Sequence, residues 1–439
     1  MVLELVYSIQ YPLRAMNFVC RTSRLRGTVE VPGSKSHTVR AVAIASLASG
    51  ASCIEAPLDS ADTQATVRAY RALGAHIDTR ATDWIVTGTA GELTTPEDVI
   101  DVANSGTTMN VAIGSAALLR RGMAVLTGDD QVRRRPNGPL LNSLCELGAW
   151  AASTRGNGSP PVVVRGRLRG GTTVIECQTS QFLSSLLINC PLGDGDTTIR
   201  VPVLNEAPYV DMTLDWLTRL GIRFERDGYR EFRVPGGQRY DAFTRRVPAD
   251  FSSATFFLCA GALQDNDVVV KGLDLEDTQG DKAVLKYLRQ MGARVDALPE
   301  GVRVRPGDLR GCKIDLNATP DALPMMGVVG CFAKGTTRLV NVPQARMKEC
   351  DRIAAMRQEL ERLGAKVREL PDGLEIEQSV LHGARVDGHA DHRIVMALTV
   401  AGCCIPNDTV VTNAESVSVT FPGFADCMKS LGASLRIAE

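Results

Sequence analysis

Apolar and polar positions along the chain alternate in a fixed order that repeats. A short β-like stretch runs into a polar turn, then into an apolar helix, a second strand, an amphipathic helix and two alternating strands. The amphipathic helices close on one phrase found six times. Its copies are Leu73-Gly74-Ala75, Leu147-Gly148-Ala149, Leu220-Gly221-Ile222, Met291-Gly292-Ala293, Leu363-Gly364-Ala365 and Leu431-Gly432-Ala433. The glycines lie 74, 73, 71, 72 and 68 residues apart. Each stands where a helix needs a left-handed C-terminal cap. Examples of the predicted helices are Ala283–Met291 and Ala355–Leu363; Val302-Arg303-Val304 and 336–342 read as strands.

The six polar turns are Gly33-Ser34-Lys35-Ser36, Asn104-Ser105-Gly106-Thr107, Thr179-Ser180-Gln181, Asp250-Phe251-Ser252-Ser253, Thr319-Pro320-Asp321 and Ala390-Asp391-His392-Arg393. Helix capping explains their Ser, Thr, Asn and Asp. It does not explain the cations in or near these turns and loops: Lys35, Arg135, Lys348, Arg352 and Arg393. A helix N-terminus carries unpaired N–H groups and about half a positive charge, so several such turns can converge on an anion. Units of roughly 72 residues exceed solenoid periods and can each pack helices on a sheet. The spacing suggests two compact groups of three.

The chain has 439 residues, 44% of them hydrophobic and 23% charged, which is a foldable composition for about three ordinary domains. Its 49 Lys and Arg against 50 Asp and Glu give a net charge of -1, which argues against a general nucleic-acid surface or an anionic-membrane surface. No apolar run reaches the ~18 residues of a membrane span. The 12 cysteines are scattered, form no C-x-x-C and sit mostly in apolar runs, so a reduced, cytoplasmic protein without structural zinc is expected. Residues 1–25 read as a tail rather than a signal.

Nine motifs in order resemble the enolpyruvyl transferase family, from about Gly27 to Gly432. They are Pro32-Gly33-Ser34-Lys35-Ser36 with Arg40, Asn104 to Met109, and Thr127-Gly128-Asp129-Asp130 leading to Arg134-Arg135-Pro136. Thr179 to Leu183, Ser252-Ser253-Ala254, Pro320-Asp321-Ala322, Lys348-Glu349-Cys350-Asp351-Arg352, Asp391-His392-Arg393 and Phe421-Pro422 follow.

The resemblance implies an α/β fold: a two-domain, inside-out arrangement of six βαβαββ-like units, three per domain, with the site in the interdomain cleft. Residues 33–246 would form the acceptor-side domain; 1–32 plus 247–439 would form the other. It implies transfer of the enolpyruvyl group of phosphoenolpyruvate to a hydroxyl acceptor, by addition and then elimination of phosphate, with no cofactor or metal. Phosphoenolpyruvate contacts would come from Lys35, Asn104, Gly106, Arg135, Arg352 and Arg393. Catalytic roles fall to Lys35 (phosphate departure), Asp321 (base for the acceptor hydroxyl) and Glu349 (proton at C3). His392 is read either as a proton relay or as a core histidine. Ser36, Arg40, Thr179, Ser180, Gln181, Glu206, Tyr209, Asp321 and Lys348 would meet the acceptor. Two small molecules are the expected partners of a monomer, with no nucleic acid and no membrane.

Three positions depart from the branch acting on shikimate 3-phosphate. Glu206 stands where that branch has Ser at the acceptor's phosphate, Val419 where it has Lys, and Asn110 where it has Arg. A carboxylate would repel a phosphate at short range. The expected acceptor is therefore a different alcohol, first the 3′-hydroxyl of UMP in nucleoside-antibiotic biosynthesis. The alternatives are the shikimate-pathway enzyme itself, a UDP-N-acetylglucosamine branch (disfavoured because Asp130 stands near its reactive Cys) and a non-catalytic binding protein. An RNA-end-processing relative is disfavoured by the net charge.

Overall fold

The computed structural model describes residues 15–439. Among them lie six four-stranded sheets that share one strand order. In each, the first two strands run parallel and the last two join antiparallel. In the third sheet, Gly171–Cys177 pairs parallel with Thr197–Leu204, which pairs antiparallel with Glu231–Val234, and Glu225–Asp227 forms the edge.

Three sheets borrow a strand from far along the chain. Thr244–Arg246 supplies the first strand of the first sheet, beside Ala51–Glu55. Arg26–Glu30 does the same in the fourth, beside Asp267–Lys271. Asn17–Arg21 enters the sixth, between Thr409–Thr412 and Ser434–Ala438. Residues 17–21 are therefore a central strand, which corrects the reading of 1–25 as a tail; residues 1–14 lie outside the described residues.

The first helix of each unit is buried nearly all round. Phe251–Gly261 has every residue buried, and Leu323–Phe332 (LPMMGVVGCF) nearly so. A helix apolar on all sides has to be interior. Phe251–Gly261, Leu323–Phe332 and His392–Cys404 accordingly pack on one another, with Gly106–Ala116 likewise against Lys35–Leu47 and Ser180–Asn189. The second helices bury one face only, as in Val284–Met291. Helices inside and sheets outside make the inside-out α/β fold.

All six phrase glycines take positive φ, from +72° at Gly221 to +105° at Gly74, the conformation that favours a residue without Cβ. The buried apolar side chains fall into two clusters. One draws on residues 41–247, the other on 18–31 together with 251–435. No helix among the described residues is long and apolar enough to cross a membrane.

Candidate active site

Five of the six polar turns open onto one cleft between the clusters. They contribute Lys35 and Ser36, Gly106 and Thr107, Ser180 and Gln181, Asp321, and Arg393. The fourth turn does not line it: Asp250 accepts from Ser253 N and Ser253 Oγ and caps its own helix. The loop before Arg352–Arg362 adds Lys348 and Glu349, and the segment after the turn Val132–Arg134 adds Arg135.

One end of the cleft is a cross-linked charge network. Arg352 is only 1% exposed. Its Nη1 donates to Asp321 Oδ1 (2.7 Å), its Nη2 to Glu349 Oε2 (2.6 Å) and its Nε to Asp391 Oδ2 (2.8 Å). Arg393 holds the other Asp321 oxygen at 2.9 Å, and Arg135 reaches Glu349 at 3.5 Å. Lys35 Nζ lies 3.1 Å from Asp62. Burial alone would raise the Asp321 carboxyl, but Arg393, Arg352, Lys348 and Lys35 outweigh it and hold it well below the carboxylate range. Burial acts on Glu349 in the same way, and Arg352 and Arg135 again win. Arg135 keeps Nε and Nη2 buried without a hydrogen-bond partner, Nη2 having only its 3.5 Å ion pair with Glu349, so donors remain beside the cavity. Gly106 makes room for the guanidinium, because a Cβ there would collide with Arg135 Nη1.

The other end is organised around a single carboxylate. Glu206 Oε2 accepts from Thr179 Oγ1 (3.1 Å), Ser180 N (3.2 Å) and Ser180 Oγ (3.0 Å), at the N-terminus of helix Ser180–Asn189. Its Oε1 pairs with Lys348 Nζ. Gln181 is pinned by Asn110, whose amide donates to its Oε1 at 2.8 Å. Arg40 is buried and directs its guanidinium at Thr213 Oγ1, Ser36 O and Tyr209 O; burial lowers its pKa to about 10, so it stays charged at neutral pH. Tyr209 OH donates to Asp281 at 2.8 Å.

The description "EPSP synthase (3-phosphoshikimate 1-carboxyvinyltransferase)" covers the family that matches residues 19–428. The chain is 50% identical over 419 residues to a "3-phosphoshikimate 1-carboxyvinyltransferase" of Acetivibrio thermocellus, spanning 95% of this chain and 99% of that one. A protein of the same name from Methanothrix thermoacetophila is 50% identical over 418 residues, 94% of this chain and 98% of that one. The chain belongs to the EPSP synthase family. The fold agrees: an EPSP synthase structure from Acinetobacter baumannii superposes with a TM-score of 0.82 at 24% identity, covering 97% of this chain and all of that one. The protein is accordingly a transferase of enolpyruvyl groups.

Membership of the EPSP synthase family overturns the expectation of UMP as acceptor and of a place in antibiotic biosynthesis, since relatives this similar over their whole length carry the shikimate name. The physical reason lies at Glu206. A bare carboxylate there would repel a phosphate, but four donors surround this one. Val419 ends the turn Ala414–Val419 and does not line the cleft. Asn110 fixes Gln181 instead of offering a charge.

The cleft gathers Lys35, Ser36, Arg40, Gly106, Arg135, Ser180, Gln181, Glu206, Tyr209, Asp321, Lys348, Glu349, Arg352 and Arg393. It does not gather three other expected residues. Thr179 lines an adjoining pocket with Gln181 and Lys348. The Asn104 amide is spent on Asp129 and Gln131. The Gly106 N–H donates to the Asn104 carbonyl, and the neighbouring Ser105 N–H to that of Val102. His392 is buried with its Nε2 unpartnered; burial first, then Arg393, pushes its pKa well down, so it is neutral. Thr107, part of the second polar turn, also lines the cleft, as does Asp62, which the sequence does not single out because Ser60-Ala61-Asp62-Thr63 reads as an ordinary helix start. Asp391, which the motif Asp391-His392-Arg393 contains without a role of its own, anchors Arg352.

Proposed function

We propose that the protein is a 3-phosphoshikimate 1-carboxyvinyltransferase, joining the enolpyruvyl group of phosphoenolpyruvate to a hydroxyl of 3-phosphoshikimate and releasing phosphate. The carrying observation is one cleft in which Arg135, Arg352 and Arg393 pair with the two carboxylates Asp321 and Glu349, with Lys35 beside them, in a chain half identical to proteins of that name.

Phosphoenolpyruvate sits at the networked end, where Arg135 has donors to spare and Arg forks match carboxylate and phosphate oxygens. Asp321 is ionised, and as the substrate's anionic groups draw Arg393 and Arg352 away from it and let its pKa rise, it accepts the acceptor's hydroxyl proton while that oxygen bonds to C2. Glu349 gives a proton to C3. For this it has to be protonated, and the substrate supplies the means. Its anionic groups engage Arg135 and Arg352, the cations that hold the Glu349 carboxyl down, and so let its pKa rise. The C2–O bond to phosphate then breaks, Lys35 stabilises the departing charge, and C3 returns a proton to the Glu349 carboxylate, which restores the double bond and reprotonates Glu349.

Ser36, Arg40, Thr179, Ser180, Gln181, Tyr209 and Lys348 hold the acceptor. Residues 33–246 form the acceptor-side lobe and, of the described residues, 15–32 with 247–439 the other; closing them on each other excludes water. All cysteines among the described residues are free thiols, as suits a cytoplasmic enzyme. The test is phosphate release from phosphoenolpyruvate, with the product's mass read in parallel. Release that requires 3-phosphoshikimate, with an adduct of the two substrates less phosphate, is the expected result; release without that adduct refutes the proposal.

A further inference from the structure

Glu206 is 2% exposed, yet it lines a cleft built for anions. Its Oε2 collects two hydroxyl donors and one backbone N–H at a helix N-terminus, and its Oε1 collects an ammonium. Such a donor set suits a phosphate as well as a carboxylate. The same groups, Thr179, Ser180 and Lys348, are those assigned above to the acceptor. Both cannot be met by two anions at once. The backbone adds a second sign. Glu206 has φ 61° and ψ 38°, a left-handed conformation that a residue with a Cβ rarely adopts, and this turns its side chain back toward Ser180. Lys348 belongs to the opposite lobe, so the pair also ties the lobes together, beside a 2.9 Å hydrogen bond from Asn317 to Asn205.

Charge balance points the same way. Six cations line the cleft (Lys35, Arg40, Arg135, Lys348, Arg352, Arg393) against four carboxylates (Asp62, Glu206, Asp321, Glu349). Three of those carboxylates belong to the networked end. Glu206 alone lies among the acceptor's groups, and its departure would leave their positive charge for an incoming phosphate.

Resting on the function proposed above, we propose that Glu206 is a tethered anion that fills the acceptor's phosphate seat in the free enzyme and is displaced by that phosphate. Glu206 therefore sets affinity for the acceptor and discriminates between phosphorylated and unphosphorylated forms less sharply than an empty seat would.

The test uses the full chain and its Glu206→Gln and Glu206→Ser variants, with dissociation constants for 3-phosphoshikimate, shikimate and inorganic phosphate. Both variants should bind 3-phosphoshikimate about tenfold tighter, the effect of removing about a third of one close like-charge contact. Inorganic phosphate should tighten in parallel. Shikimate, lacking the phosphate, should move less than about twofold, as should the KM for phosphoenolpyruvate, whose site Glu206 does not touch. If the unsubstituted enzyme turns over 3-phosphoshikimate but both variants bind it equally or more weakly, Glu206 is a fixed part of the acceptor site and the inference fails alone. If the unsubstituted enzyme does not turn it over, the proposed function fails and the inference with it.

Discussion

The two ends of the cleft are made of the same parts, helix N-termini with hydroxyls, cations and carboxylates, but wired differently. At the networked end one guanidinium, Arg352, fixes three carboxylates, and Arg393 and Arg135 each share one of them. At the other end one carboxylate, Glu206, gathers all the donors. A carboxylate held by several buried arginines is oriented before substrate arrives, which is what proton transfer in a transition state needs. A carboxylate on a positive seat with one ammonium is replaceable. Under the proposed function, the first end carries the chemistry and the second the choice of acceptor.

The largest break of this contrast is at the reacting carboxylates. Asp321→Asn and Glu349→Gln should each cut kcat by ~10²–10⁴, the usual range for a positioned acid or base. The acceptor's dissociation constant should move far less in Glu349→Gln. Near-normal turnover in either variant would remove that residue from the mechanism.

Next in size is the hub. Arg352→Met leaves Asp321, Glu349 and Asp391 without their shared cation, and stability should fall by about 3–5 kcal/mol, the cost of orphaning buried charge. Denaturant melts at neutral pH read this directly. The sign of the pH effect follows from the shifts. Asp321 and Glu349 titrate below their unfolded values near 4, so their contribution is present above about pH 4 and is lost on acidification through the lower folded range. The acid-induced loss should be shallower in Arg352→Met, and an unchanged acid profile would show that the network does not hold these groups down.

The smallest is a methyl group. Gly106→Ala places a Cβ against Arg135 Nη1, the far end of a flexible side chain, so the fold should tolerate it while Arg135 shifts. The KM for phosphoenolpyruvate should rise about tenfold, one displaced charge-assisted hydrogen bond, with the acceptor's KM little changed. An equal rise in both would blur the division between the ends.

Much of this arrangement was legible in the chain. The six glycine caps and six polar turns are local signals, and each marked a helix end or start. The Glu349–Arg352 pair was legible because three residues separate them. What escaped is long-range. Asn17–Arg21 joins a sheet completed by residues near 410 and 436, and Thr244–Arg246 pairs with Ala51–Glu55; no local pattern announces such pairing. Glu206 misled for the same reason. Its partners lie 26 and 142 residues away, so its charge looked bare and a phosphate looked excluded. Asp62 escaped because a carboxylate in a first helical turn is the commonest of capping features.

The account's central claim is that this cleft joins phosphoenolpyruvate to a phosphorylated acceptor despite Glu206. Steady-state kcat/KM for 3-phosphoshikimate, measured beside UMP at saturating phosphoenolpyruvate, tests it most directly. The account predicts a value of ~10⁴ M⁻¹s⁻¹ or more for 3-phosphoshikimate and no turnover of UMP; an enzyme inert toward 3-phosphoshikimate and active on UMP would contradict it.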